Sequence, residues 1–265
     1  MNKDLGHLQR ELNRVIEQAG QMIISAAGES KNIRKKGRID LVTETDLAVE
    51  NFLKEKLTAL EPASRFLAEE TASDAELLDM TWIIDPVDGT TNFAHSLPFV
   101  ATSVALWLNG EVVMGTVNTP LLGELFTACK GGGAHCNGTP IQVSPIERME
   151  DSLAATGFPY ATELYLKKVL IQMEAMLKAT QGIRRPGAAA IDMAYVACGR
   201  YEMFYEYDLK PWDTAAGCLL VAEAGGQISR MDGSPYSLGA KDILASNSRL
   251  HKQAVDLLQG ALTNI

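Results

Sequence analysis

The amino-acid sequence predicts a layered α/β sandwich, in which an α+β N-terminal half is followed by an α/β C-terminal half. Two observations support this fold class. Strand-like segments cluster in the middle of the chain, whereas strands and helices alternate after about residue 145. A chain of 265 residues can also bury roughly three quarters of its unfolded surface. This suits one compact unit of two subdomains, residues 1–145 and 146–265, with the functional site between them.

Two amphipathic helices begin the N-terminal half. In the first, apolar residues recur at three- and four-residue spacing until Gly28, which can end the helix. Residues 31–38 predict a basic, glycine-containing loop. The second helix follows Thr43 or Thr45, either of which can cap it, and Asp46 would complement the positive end of its dipole.

The most informative stretch is residues 82–93, which read WIIDPVDGTTNF. The apolar start predicts the end of a strand that is buried on both faces, and Pro86 is expected to stop that strand. Asp88-Gly89 is typical of a turn, and Thr90 with its neighbours can begin a short helix. Asp85 and Asp88 therefore leave the strand end side by side, where like charges repel unless they share a proton or bind cations.

An anion site is expected next to these carboxylates. The amides of Gly89 and Thr90 lie at a predicted helix start and can hold an anionic oxygen. A cation site that adjoins an anion site suits a phosphate group handled through a metal ion. The alternative interpretation is an acidic strand-to-helix turn without a chemical role.

The remaining elements follow from turn signals and periodicity. A β-meander is expected after the central stretch, with a hairpin turn at Asn109-Gly110 and a tight turn at the glycine run 131–133. The elements predicted for the C-terminal half are strands at 153–156, 200–206, 227–230 and 242–247, and helices at 162–181, 188–198, 212–225 and 248–262.

Composition excludes several classes of function. A net charge of −9 argues against general binding to nucleic acid or anionic membranes, although bound divalent cations would still permit a phosphorylated substrate. The four cysteines show no CxxC spacing and the four histidines no HExxH spacing, so neither disulfides nor a zinc site is expected. The N-terminus lacks the apolar core of a signal peptide, and no apolar run is long enough for a membrane helix, so the expected location is cytoplasmic.

The stretch 82–93 resembles the signature of the inositol monophosphatase family, the lithium-sensitive, magnesium-dependent phosphomonoesterases. A second segment, WDTAAG from Trp212 followed by EAGG from Glu223, resembles the second signature of that family. The resemblance extends over nearly the whole chain. It implies a layered αβαβα sandwich of the inositol monophosphatase/fructose-1,6-bisphosphatase type.

The resemblance also implies a site. Its catalytic residues would be Glu69, Thr90 and Asp46, with Asp46 hydrogen-bonded to Thr90. The implied metal ligands are Glu69, Asp85, the main-chain oxygen of Val87, Asp88 and Asp213. The implied substrate contacts are Asp88, Gly89, Thr90, Ala189, Glu206 and Asp213. The resemblance also places Lys35 near the metals, and Glu70 would assist Glu69 or merely lie near it. Arg184 and Arg185 are either a surface or interface pair or contacts for the substrate or a second phosphate group.

The implied reaction is hydrolysis of a small polyol phosphate by metal-activated water, with myo-inositol 1-phosphate as the first substrate to test. All the ligands are hard oxygen atoms, which favours Mg²⁺, up to three ions by resemblance, and leaves Mn²⁺ possible. A homodimer is implied by resemblance alone. The alternatives are phosphatases of the same superfamily that act on fructose 1,6-bisphosphate, histidinol phosphate or 3′-phosphoadenosine 5′-phosphate. A regulatory binding protein of the transcription machinery is the alternative from a different class.

Overall fold

The computed structural model of the chain describes residues 5–28, 33–35 and 41–263, and for residues 33–35, 41 and 42 it describes the backbone only. The helices are α1 (Leu5–Ala27), α2 (Glu44–Leu60), α3 (Thr90–Ala94), α4 (Thr162–Ala179), α5 (Ala189–Ala197), α6 (Pro211–Glu223) and α7 (His251–Leu262). The strands of the N-terminal half are β1 (Ile33–Lys35), β2 (Leu41–Thr43), β3 (Arg65–Ala68), β4 (Met80–Asp88), β5 (Ala101–Leu108), β6 (Glu111–Thr119), β7 (Glu124–Cys129), β8 (Gly133–Cys136) and β9 (Thr139–Ile141). Those of the C-terminal half are β10 (Leu153–Thr156), β11 (Gly182–Arg184), β12 (Met203–Tyr207), β13 (Gln227–Ser229) and β14 (Asp242–Ser246).

Two large sheets organise the described residues. The first has the order β3-β4-β5-β6-β7-β8-β9, in which β3 and β4 are parallel and the remaining strands form the predicted antiparallel meander. The second has the order β11-β10-β12-β14-β13, with β10 parallel to both of its neighbours and β14 antiparallel to β12 and β13. The fold is therefore a mixed α/β structure, as the sequence predicts.

Three apolar clusters fill the spaces between five layers of helices and sheets. Trp82 and Ile84 face the outer helices α1 and α2, whereas Ile83 faces α5 and α6 on the other side of the first sheet. The same two middle helices also pack on the second sheet, where Phe204 belongs to the cluster that contains Ile83. The far side of the second sheet is covered by α4 and α7. The order α, β, α, β, α agrees with the predicted sandwich, and β4 is buried on both faces as expected.

The middle helix α6 approaches the first sheet very closely. A Cβ atom placed on Gly115 in β6 would lie 3.0 Å from both the Cα and the carbonyl oxygen of Ala216 in α6. Helix α6 also contacts β4, β5, β7 and β8. A helix of the C-terminal half therefore completes the core of the N-terminal sheet, and the predicted division after residue 145 stays a prediction.

Two local predictions were wrong. Strand β4 does not stop at Pro86 but continues to Asp88, with a shift in its pairing to β5 between Asp85 and Asp88. A bulge tolerates proline because the missing N–H is not needed there, and the carbonyl oxygen of Pro86 accepts a hydrogen bond from the Thr102 hydroxyl at 3.0 Å. The predicted basic loop contains strand β1, which pairs antiparallel with β2.

Local turn and cap predictions agree with the structure. Thr43 is the N-cap of α2, and its hydroxyl accepts a hydrogen bond from the amide of Thr45 at 3.2 Å. Asn109 and Gly110 both have positive φ angles, 51° and 97°, as the predicted hairpin turn requires. None of the described helices is long and apolar enough to cross a membrane.

Candidate active site

A cleft of about 700 Å³ lies between the end of β4 and the C-terminal half. Its polar wall brings together residues that are far apart in sequence: Glu69, Asp85, Val87, Asp88, Gly89, Thr90 and Asp213. Ala189, Arg185 and Glu206 line the cleft as well. The layering explains this arrangement, because α5 and α6 pack between the two sheets and their first residues line the cleft together with the end of β4.

Three aspartates of the cleft are each held in place by a backbone amide. Asp85 accepts a hydrogen bond from the amide of Val87 at 3.0 Å, and Asp88 accepts one from Ala190 at 2.7 Å. Asp213 accepts a hydrogen bond from the amide of Lys210 at 2.6 Å, and this hydrogen bond also caps the N-terminus of α6. In each case one carboxylate oxygen holds the side chain in place, so that the other oxygen can serve a ligand.

These carboxylates repel one another. Burial raises the pKa of Asp85 well above its usual range, and the charges of Glu69, Asp88 and Asp213 raise it further. Burial, opposed by the amide of Ala190, raises the pKa of Asp88 to about 7. Burial and the charge of Asp88 raise the pKa of Asp213 to about 7. Such a cluster becomes stable in its ionised form only with bound cations.

The donor set fits a hard divalent cation. Carboxylates and a main-chain carbonyl are the oxygen ligands that Mg²⁺ prefers. Within the described ranges, no three Asp, Glu, His or Cys side chains are already grouped closely enough to hold one ion. Four acids from three segments nevertheless line the same cleft, where their charges repel one another. A bound ion would draw their carboxylate oxygens together.

The hydroxyl of Thr90 lies between the implied catalytic residue Asp46 and the implied metal ligand Val87. It lies 2.9 Å from a carboxylate oxygen of Asp46 and 3.0 Å from the carbonyl oxygen of Val87. Asp46 is fully buried, and its second oxygen accepts hydrogen bonds from the amide and hydroxyl of Thr43. Burial raises the pKa of Asp46, whereas the bonds to Thr43 and Thr90 oppose that change. The predicted hydrogen bond between Asp46 and Thr90 is confirmed.

The turn before α3 requires glycine. Gly89 has a φ of 89°, and a Cβ atom there would lie 2.6 Å from the carbonyl oxygen of Phe99. The side-chain amide of Asn92 donates to Phe99 at 2.8 Å and to the carbonyl of Pro186 at 2.9 Å. Asn92 thereby connects the β4–α3 segment to the loop that precedes α5, which carries the predicted substrate contact Ala189.

The other predicted residues have three different outcomes. Arg185 lines the cleft, with its guanidinium 4.8 Å from the centre of the Phe158 ring, whereas Arg184 is exposed outside it. The amide of Glu70 donates to Glu50 at 2.8 Å, and Glu70 does not line the cleft. The side chain of Lys35 lies outside the described part of the chain.

Comparisons with known proteins agree with this geometry. Residues 4–262 match the model of the inositol monophosphatase family. The chain belongs to this family. It is 40% identical over 250 residues to an inositol monophosphatase from Dictyostelium discoideum, with 92% of each chain covered. It is 41% identical over 237 residues to an inositol-1-monophosphatase from Synechocystis sp., with 89% of this chain and 83% of the relative covered. The crystal structure of the extragenic suppressor protein suhB from Bartonella henselae has a TM-score of 0.90 at 35% identity, covering 96% of this chain and 98% of that chain.

Membership in the inositol monophosphatase family means that the chain is a metal-dependent phosphomonoesterase. The structure adds residues to this site that the sequence did not indicate. Asp192 is a buried acid near Glu206 and Asp88, and neither of its oxygens has a hydrogen-bond partner. Phe158, Tyr160, Leu166 and Leu170 form an exposed apolar wall of the cleft. The sequence indicated no role for them in the site, because their place at the cleft depends on tertiary contacts that a local pattern does not show.

The metal-free enzyme is expected to lose stability as the pH rises from about 4 to about 8. In this window the folded protein keeps protons on Asp88 and Asp213, whose pKa values are raised to about 7, and on Glu206, whose pKa is raised to about 8. The unfolded chain has already released them, so each rise in pH favours unfolding.

The check is the melting temperature in EDTA at the two ends of that window, with and without added Mg²⁺. Magnesium is expected to restore most of the loss at the higher pH, because the ion compensates the ionised carboxylates. A melting temperature in EDTA that rose towards the higher pH would contradict this assignment of the cluster.

Proposed function

We propose that this phosphatase hydrolyses a small polyol phosphate, with myo-inositol 1-phosphate as the preferred substrate and Mg²⁺ as the cofactor. The observation that carries the proposal is the shared cleft. It combines a hard-oxygen donor set, the Asp46–Thr90 pair and the amides of Gly89 and Thr90 in one place. The names of the relatives, which include inositol-1-monophosphatase, support the choice of substrate.

The residues divide the reaction between them. Glu69, Asp85, the carbonyl of Val87, Asp88 and Asp213 would hold Mg²⁺, up to three ions, with Mn²⁺ possible. When bound, the metal would supply Lewis-acid polarisation of the phosphate and lower the pKa of a water molecule. The Thr90 hydroxyl donates to Asp46, so its oxygen lone pairs are directed to receive a hydrogen bond from the attacking water. Glu69 then accepts the proton of that water.

The substrate would lie across both halves of the chain. The amides of Gly89 and Thr90 donate to the phosphate oxygens at the start of α3. Asp88, Ala189, Glu206 and Asp213 would contact the hydroxyl groups of the polyol. Water is the nucleophile in this scheme, and the ester oxygen of the polyol is the leaving group.

The test is phosphate release from a panel of four esters with Mg²⁺, with EDTA and with added Li⁺. The panel contains inositol 1-phosphate, fructose 1,6-bisphosphate, histidinol phosphate and 3′-phosphoadenosine 5′-phosphate. We expect inositol 1-phosphate to be hydrolysed fastest, EDTA to stop the reaction, Mg²⁺ to restore it and Li⁺ to inhibit it. Release that is insensitive to EDTA would contradict the metal assignment, and a different preferred ester would contradict the substrate. The homodimer and the cytoplasmic location stay predictions.

Arg185 favours fructose 1,6-bisphosphate as the second candidate. It is the arginine of the predicted pair that lines the cleft, and a guanidinium there suits a second phosphate group. If the bisphosphate is the substrate, Arg185→Ala should reduce its kcat/KM about 10- to 100-fold while inositol 1-phosphate is much less affected. Arg184→Ala is the matched control. Equal effects of Arg185→Ala on both esters would argue against this candidate.

A further inference from the structure

Gly157 follows β10 at the edge of the cleft, beside Glu206 of β12. The two strands are parallel neighbours, and Thr156 is paired with Tyr205. The hydroxyl of Thr156 donates to the carbonyl oxygen of Tyr205 at 2.7 Å, which fixes the two strand ends against each other. This pairing brings Gly157 to the side of Glu206, and both residues line the cleft.

The carboxylate of Glu206 occupies the space that a side chain at position 157 would take. A Cβ atom on Gly157 would lie 2.1 Å from Oε2 of Glu206 and 2.2 Å from both Oε1 and Cδ. Gly157 is not among the glycines with positive φ, so its backbone conformation is open to any residue. Glycine at position 157 is therefore explained by the space that Glu206 needs and not by the backbone conformation.

An added methyl group would displace the carboxylate and leave the fold intact. The atoms it meets are the far end of a flexible side chain, which can rotate away, whereas no backbone atom is within the three nearest contacts. In its present position Glu206 is only 8% exposed and still reaches the cleft. Rotation would take the carboxylate away from the place where it faces the substrate.

We propose that Gly157 is a positioning residue that sets the selectivity of the enzyme for hydroxyl-bearing leaving groups. By having no side chain, it lets the carboxylate of Glu206 lie against the backbone at the end of β10 and meet the hydroxyls of a polyol phosphate. This inference rests on the proposed function, in which Glu206 contacts the polyol. It assigns no part in the phosphate chemistry to Gly157.

The experiment compares Gly157→Ala on two esters, inositol 1-phosphate and phenyl phosphate, whose leaving group has no further hydroxyl. We expect kcat/KM for inositol 1-phosphate to fall about 10- to 100-fold, mainly through KM, because the hydrogen bonds between the polyol and the carboxyl group of Glu206 are lost. The value for phenyl phosphate should fall by less than about threefold, since no such contact exists there. Gly260→Ala, where a Cβ atom would meet nothing within 4 Å, is the control for replacing a glycine.

A double-mutant cycle shows whether the effect passes through Glu206. Glu206→Asp shortens the side chain and leaves room for a methyl group, so Gly157→Ala should cost much less in the Glu206→Asp background than alone. The double variant should also fold if Gly157→Ala alone does not. Independent effects of the two changes, or failure of the double variant to fold, would overturn the inference.

Glu206→Gln separates this inference from the proposed function. If Glu206→Gln selectively impairs inositol 1-phosphate but Gly157→Ala does not, the positioning role is overturned and the proposed function stands. If Gly157→Ala impairs both esters equally, the positioning role is likewise overturned. If neither variant discriminates between the esters, the contact of Glu206 with the polyol is overturned together with the role of Gly157.

Discussion

Asp85→Asn is expected to reduce phosphatase activity on the order of 100-fold or more while raising the melting temperature of the metal-free enzyme. Asparagine keeps the oxygen that accepts from the amide of Val87, so the local structure is preserved. It removes the charge that Glu69, Asp88 and Asp213 repel. The negative charge that destabilises the metal-free protein is the same charge that attracts the cation.

The gain in stability should be largest at about pH 8, where the neighbouring acids tend to ionise. A gain of about 1 kcal/mol corresponds to a rise of roughly 2–4 °C for a protein of this size. The measurements are phosphate release and melting temperature in EDTA and in Mg²⁺. Asp256→Asn, which removes an exposed acid that pairs with Lys252, is the control and should change neither. A metal-free Asp85→Asn variant that melted below the wild type would show that the repulsion is not the dominant cost.

Thr90→Val is expected to lower turnover about 100- to 10,000-fold, because it removes the hydroxyl that lies between Asp46 and Val87. Valine has nearly the same shape, so packing around α3 is kept. The buried carboxylate of Asp46 loses one hydrogen bond, which should cost about 1–3 kcal/mol of folding free energy. The measurements are kcat at saturating substrate and unfolding in urea.

Thr102→Val separates the loss of a hydrogen bond from the loss of catalysis. The hydroxyl of Thr102 is also buried and donates to the carbonyl of Pro86 at 3.0 Å, but it does not touch Asp46. We expect a similar loss of stability and nearly wild-type kcat. If the two variants lost turnover equally, the Asp46–Thr90 pair would be a structural feature only.

The sequence predicted the parts of the fold that depend on local pattern. Helix periodicity and turn residues such as Asn109-Gly110 located most elements, and family resemblance anticipated the hydrogen bond between Asp46 and Thr90. The prediction at Pro86 was wrong because whether a proline ends a strand depends on the neighbouring strand. Here the Thr102 hydroxyl of β5 donates to the carbonyl oxygen of Pro86, and the pairing shifts at this point, so that no backbone N–H is needed from Pro86.

Other features depend on tertiary contacts that no local pattern shows. Arg184 and Arg185 are adjacent in sequence, yet only Arg185 faces the cleft, because the chain turns towards α5 after β11. The burial of Asp192 follows from the packing of α5 between the two sheets. The contact between Gly157 and Glu206 exists because β10 and β12 are neighbours in a sheet whose order differs from the order of the chain.

The close approach of α6 to β6 limits how members of this family can be recombined. A larger residue at Gly115 would meet the backbone of Ala216, and a backbone cannot rotate out of the way. A chimera that joined the first half of one phosphatase to the second half of another would inherit these two surfaces from different parents. It would assemble only where both parents had kept the same narrow spacing. Chimeras that combine halves of two such enzymes are therefore expected to fold poorly. The residues of the first sheet that contact α6 and the residues of α6 itself are expected to vary together.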